Sequence, residues 1–391
     1  AEAGFVCRRV SFMGAASLAQ DCDWRGLNGV ATVGGATVTI PEETTLTLAS
    51  VGDFSQVCSF VGAGRLKVMD DGSFAGVFPA SVVGCAEVEM AGDVNFTGCN
   101  WTSGNRLILS GHSVAKGEGS TSGMSGPIVI PEGAVLTVDG QVNAPSCKGE
   151  TFRQHIVVDG GTLTGGGFLY FSAWNNQELD IDINAGRLET AVTPWASYYP
   201  SGCKIVQTGG VFAPSSLQPR HQNNVYKGTY ASYTFKGGVF EPPAGWTANF
   251  PWLPITVPAD GEATIHIVRD ALLAAPVTID GTLVLTSDDP SYALTFASLA
   301  GNGTLRVGSG SPRIMVPAGD WTTQLTCAEG MTLALGGSGE DPVVFTTGLT
   351  NEVFLGSLTL AGGLVKLPKS NSIGGALTFE AGAKLRFDTG T

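Results

Sequence analysis

Short alternations of apolar and polar residues run along most of the chain. Ala36-Thr37-Val38-Thr39-Ile40, Thr45-Leu46-Thr47-Leu48 and Leu179-Asp180-Ile181-Asp182-Ile183 are early examples, and Thr282-Leu283-Val284-Leu285 and Thr304-Leu305-Arg306-Val307 are late ones. A period of two sends one set of side chains to each face of a strand, so each run predicts a half-buried β-strand. No segment holds a 3.6-residue period for a dozen residues. The best attempt, Asp270 to Ala275, is too short for a stable helix.

The strands recur with a phrase. A glycine, one variable residue and then Leu or Phe opens Gly64-Arg65-Leu66, Gly161-Thr162-Leu163, Gly186-Arg187-Leu188, Gly210-Val211-Phe212 and Gly238-Val239-Phe240. It returns at Gly281-Thr282-Leu283 and Gly303-Thr304-Leu305, and in looser form before Leu333, Val365 and Leu385. From Leu163 the apolar anchors step by 25, 24, 28, 43, 22, 28, 32 and 20 residues, and 43 is close to two steps with one copy degraded. The glycine is expected to supply a positive-φ corner before each strand. A unit of this size cannot bury its own apolar face, so neighbours must stack. A propeller blade needs about 40 to 50 residues, and the Asn ladder of a leucine-rich repeat is missing. The fold class that remains is all-β, a right-handed parallel β-helix (β-solenoid) with an N-terminal cap and lateral loops.

The stretch Asn302-Gly303-Thr304-Leu305-Arg306-Val307-Gly308-Ser309-Gly310 and the Gly-Gly-Val-Phe units resemble the strand repeats of bacterial autotransporter passengers. The resemblance is compositional and covers roughly residues 130 to 391. It implies a secreted β-helix of a bacterial surface, some relatives being adhesins.

Four regions are expected: a cap over 1–30, β-helix with lateral loops over 31–240, a Pro- and Trp-rich interruption over 241–258, and β-helix again over 259–391. The expected cap covers a solenoid end whose strand edges would otherwise be open. The last strands, Ala376-Leu377-Thr378-Phe379 and Lys384-Leu385-Arg386-Phe387, carry no such lid. They are expected to pair onto other copies of the chain or onto a C-terminal continuation.

Composition narrows the partners. Lys and Arg total 21 against 34 Asp and Glu, a net charge of -13, which disfavours a nucleic-acid backbone or an anionic membrane surface. No apolar run is long enough for a spanning helix, so membrane insertion is not expected. With 55 Gly and 43% hydrophobic residues the chain is neither collagen-like nor disordered. The eight cysteines are even in number, and none of them stands in a Cys-x-x-Cys pair. In an extracellular or cell-surface setting Cys7, Cys22, Cys58, Cys85, Cys99, Cys147 and Cys203 are disulfide candidates, with a Cys7 to Cys22 bridge as part of the cap. Neither a metal nor a cofactor is expected.

Candidate chemistry is sparse. Asp180 and Asp182 fall on one face of a strand and could act as acid and base on a glycosidic bond or bind Ca2+, but the outward polar face of an amphipathic strand is the preferred reading. Asp288-Asp289-Pro290 reads as a turn, and His112, His155, His221 and His266 read as isolated. No catalytic residue is assigned. Exposed rings suit sugar faces or a protein partner, which singles out Trp195, Tyr198, Tyr199, Trp246 and Trp252. Asn95, Asn100 and Asn302 head glycosylation triplets that matter only in a host able to use them.

The leading expectation is a secreted or cell-surface structural or adhesive β-solenoid, a candidate subunit of an extracellular filament, without catalysis. Two alternatives stay open: a carbohydrate-active β-helix enzyme (polysaccharide lyase or glycoside hydrolase) and a phage-type spike that binds glycans.

Overall fold

The computed structural model describes residues 9–25, 29–32, 36–49, 60–69, 83–91, 94–95, 106–110, 112–117, 126–143, 152–172, 177–196, 202–217, 220–221, 230–244, 253–337, 340–346, 354–367 and 373–387. Among them there are strands and turns and no helix. The strands form parallel sheets, and the chain winds into a β-solenoid of about 11 turns. It divides into two compact units: Ala1–Asp182 with Gly186–Gly202 and His221–Gly228, and Ile183–Ala185 with Cys203–Arg220 and Thr229–Thr391.

In the first unit one column of inward side chains runs through seven turns. Cys22 pairs with Leu46, Leu46 with Leu66, Leu66 with Val88, Val88 with Leu107, Leu107 with Ile128 and Ile128 with Ile156. The six residues from Leu46 to Ile156 are buried, and Cys22 at the head of the column is half-buried. Parallel in-register stacking repeats each inward position one turn later, so apolar residues meet apolar residues. Within the segment expected to be a cap, Ala16–Ser17 and Cys22–Asp23 are themselves turn strands, paired with Val38–Thr39 and with Leu46–Thr47. Phe12 stacks on Trp24 beside them, with ring centroids 5.7 Å apart.

The second unit has an equivalent column: Phe212, Phe240, Ile265, Leu285, Val307 and Cys327. The strand Glu262–Ile267 fills the 43-residue gap between the Phe240 and Leu283 anchors. Anchors Leu163, Leu188, Phe212, Phe240, Leu283, Leu305 and Leu333 are all buried, while Leu385 is half-buried. They do not form a single column. Leu283 and Leu305 continue to Leu325, whereas Leu333 pairs with Leu358 on a different sheet, and Leu385 pairs with Val365 on a third. Each turn carries several strands, and the Gly-x-Leu phrase can open any of them. The short Asp270–Ala275 run contains a strand, Ala271–Leu273, paired with Leu294–Phe296.

The repeated glycine has two physical roles rather than the single one expected. Gly238 does sit at positive φ (82°). Gly303 does not, and it is needed for another reason: a Cβ there would lie 2.2 Å from the Gly281 carbonyl oxygen of the preceding turn. Only hydrogen fits between turns at that corner.

Candidate functional site

Outward positions of the coils carry the polar chemistry. On the strand Gln177–Leu188, Leu179, Ile181 and Ile183 are buried and Asp180 and Asp182 are half-buried on the opposite face. The strand Phe152–Thr164 brings His155 to the same face, with its Nε2 2.8 Å from Asp182 Oδ2. Asp182 is thus committed to an imidazole as well as lying two residues from a second carboxylate. Such a group can hold or pass a proton at His155, or bind a polar ligand edge.

A second imidazole site lies on Glu262–Ile267 and Thr282–Ser287. His266 is opposite Thr286 in the ladder, with Nδ1 2.8 Å from the Thr286 hydroxyl, and its Nε2 is 3.1 Å from Asp288 Oδ1. The imidazole therefore stands between a hydroxyl, to which it is hydrogen-bonded, and a carboxylate at ion-pair distance. The expectation that these histidines are isolated does not hold for His155 and His266. Their partners are 27, 20 and 22 residues away, about one turn of the coil. The repeat period was the signal that could have found them. Asp289 does form the expected turn: its carboxylate accepts the Ser291 N–H at 2.8 Å, and the Ser291 backbone and hydroxyl bonds hold its carboxyl below the usual range.

Charged side chains also bridge successive turns. Arg65 lies 2.6 Å from Glu87 and 3.2 Å from Glu89, and Lys67 lies 2.7 Å from Glu89. Longer reaches skip turns: Arg306 meets Glu262 two turns earlier, and Arg313 meets Glu380 three turns later at 2.6 Å. These opposite-charge clamps are structural in character. Among the described residues no three metal-ligating side chains cluster closely enough to hold an ion.

Comparison with protein-family models, with curated proteins and with solved structures finds no match to this chain. The sites must be judged on their own geometry.

Of the ring-bearing candidates, Trp195 lies in the strand Ala191–Ala196, opposite Ser172, and its side chain is not described. Tyr198, Tyr199, Trp246 and Trp252 lie outside the described residues. The rings that are described nearby serve the core. Tyr233 is fully buried, edge-on to Phe212 (5.5 Å) and Phe240 (5.6 Å) and stacked on Phe235 (5.2 Å). Its hydroxyl donates to Gln207 Oε1, and the Gln207 amide donates to the carbonyls of Gly209, Gly210 and Val239 at 3.0 to 3.1 Å. Burial pushes the Tyr233 phenol well above its ordinary pKa.

The disulfide expectation needs correcting where it can be seen. Cys22 and Cys85 are free thiols, so no Cys7 to Cys22 bridge forms. Cys85 fills an inward coil position, where burial pushes its thiol up to about 12. A position in an apolar column asks for a small hydrophobe, and a free Cys serves as one. Cys203 is likewise buried, and Cys7, Cys58, Cys99 and Cys147 lie outside the described residues.

Proposed function

We propose that this chain is a structural or adhesive β-solenoid of the cell exterior that assembles with other copies of itself, and that its autotransporter-like repeats are those of a surface filament subunit. One observation carries the reading. The inward columns of the second unit are dry through Leu358, Leu360, Val365 and Leu367, each at most 1% exposed, yet the next strands bare Leu377 (38%), Phe379 (53%) and Phe387 (49%). Side chains that belong to the interior by pattern lie at the surface, which favours one more turn stacked on this edge, from another copy or from a continuation of the chain. The charge of -13 disfavours a nucleic-acid or anionic-membrane partner.

The test is direct. Surface labelling and protease shaving of intact source cells should reach the protein, and negative-stain micrographs of the released native material should show polymers. Recovery solely in the cytosolic fraction as a monomer would overturn the reading.

A further inference from the structure

His266, Thr286 and Asp288 come together because two neighbouring strands and the corner after them are held in register. In the ladder between Glu262–Ile267 and Thr282–Ser287, His266 is opposite Thr286. Asp288 follows directly, and its N–H donates to the Ile267 carbonyl at 3.2 Å, which returns its carboxylate to the side of the imidazole. Ser287 fixes the same corner from inside. It is buried, and its hydroxyl donates to the Ile267 carbonyl at 3.2 Å and to the Asp289 carbonyl at 2.7 Å. The hydroxyl and the imidazole thus stand on paired strands and the carboxylate on a bonded corner, which limits how far any of them can drift.

One neutral tautomer satisfies both ring contacts. With Asp288 ionised, the Nε2 that lies 3.1 Å from Oδ1 carries the proton, and Nδ1, 2.8 Å from Thr286 Oγ1, is left to accept the hydroxyl proton. Nucleophile, base and orienting carboxylate then stand in the order that activates a hydroxyl. The group is also within reach of solvent. The His266 side chain is 27% exposed and that of Asp288 63%, while Thr286 is half-buried. One turn later the ladder sets Gly308 beside Thr286. The Gly308 N–H donates to the Leu285 carbonyl at 2.7 Å, and a Cβ there would lie 2.7 Å from the Thr286 methyl. Glycine at that position leaves this flank of Thr286 uncovered.

From this geometry we infer that the coil face carries an ester-hydrolysing site, with Thr286 as nucleophile, His266 as general base and Asp288 as its positioning residue. Thr286 Oγ bonds to the carbonyl carbon of an ester while its proton passes to His266 Nδ1. The adduct expels the alkoxide, which takes that proton and departs as the alcohol. Water then attacks acyl-Thr286 in the same way, passes a proton through Nδ1 to the departing Thr286 oxygen, and the acid leaves. The Asp288 carboxylate stays ionised and steadies the imidazolium between the two transfers. The substrate class is a short, uncharged acyl ester. The outward face of the coil offers a half-buried hydroxyl rather than an apolar interior for a long chain, and the Asp288 carboxylate repels an anionic acyl group. This activity goes beyond the surface reading above and does not rest on it.

Hydrolysis of p-nitrophenyl acetate by the 391-residue chain tests it. The wild type should release p-nitrophenolate faster than an equal concentration of free imidazole, and peptide mapping of acid-quenched samples should find acetyl on Thr286. A positioned general base contributes about 10²- to 10⁴-fold, so His266→Gln and Thr286→Val should each lower the rate by more than about tenfold. Asp288→Asn should lower it as well, and Asp288→Glu should restore it. His112→Gln, on the separate strand His112–Gly117, should leave it unchanged. Urea midpoints report whether each variant is folded, and where one is not, the wild-type rate and the acetyl map decide alone. Hydrolysis no faster than that of imidazole, acetyl found elsewhere than on Thr286, or a folded His266→Gln or Asp288→Asn at the wild-type rate would overturn the site and leave the surface reading standing.

Discussion

Gln207 and Tyr233 should behave as a coupled pair whose joint removal costs less than the sum of its parts. Both are fully buried, the Tyr233 hydroxyl donates to Gln207 Oε1, and the Gln207 amide serves three backbone carbonyls. Tyr233→Phe keeps the ring packing and strands one buried acceptor, a loss of about 1–3 kcal/mol. Gln207→Leu strands the phenol and withdraws the amide from the carbonyls of Gly209 and Val239. The Gly210 carbonyl keeps a bond from the Val239 N–H at 2.9 Å. The single change should therefore cost about 3 kcal/mol, the larger of the two. In the double variant the phenol and its acceptor leave together, so the coupling should be about 1–2 kcal/mol. Urea unfolding of all four proteins, followed by near-ultraviolet circular dichroism, measures the cycle. Strict additivity, or a silent Tyr233→Phe, would show that the bond contributes nothing and that the aromatic packing alone holds this turn.

Three further outcomes follow from the same geometry. Gly303→Ala should destabilise by about 2 kcal/mol or more, because its methyl meets a backbone oxygen. Gly133→Ala meets open space and should lose only what its positive φ of 79° costs; equal midpoints for the two variants would refute the steric account. Arg313 holds the Glu380 carboxyl below its ordinary value of 4.5, so the pair's contribution is complete at neutral pH, fades as pH falls through 4.5 and is gone below the depressed folded pKa. Glu380→Gln should remove that acid-side loss, read as a shallower fall in melting temperature between pH 6 and 3. Iodoacetamide at pH 8 should alkylate half-buried Cys22 in the native chain and spare Cys85 and Cys327, whose thiols burial pushes up to about 12 and about 11; labelling of all three before unfolding would contradict their inward placement.

The all-β class and the solenoid were legible because both rest on local signals: alternation at period two, and a glycine phrase returning near every 25 residues. A turn too small to bury its own face must stack, and that inference needs no long-range information. Which column an anchor joins was not legible. Leu305 and Leu333 carry the same phrase, but one continues the Leu283 column and the other opens onto Leu358. The phrase marks a corner followed by a strand, and a turn has more than one corner.

The polar pairs show why site chemistry on a solenoid escapes a linear reading. The partners of His266 are not its sequence neighbours: it touches Thr286 and Asp288 because a turn returns the chain to the same face after about 20 residues. His155 meets Asp182 for the same reason, after 27. The proper unit of comparison is therefore residue i with residue i plus one turn, and turn length drifts between 19 and 28 along the first-unit column alone. A drift of one residue moves a side chain from the outer face to the core, so outward pairs cannot be aligned until the inward column is fixed. The cysteines make the same point from inside. Spacing cannot separate a bridging Cys from one standing in for a small apolar residue, and it is the column through Cys327, opposite Val307, that identifies that residue as core filler.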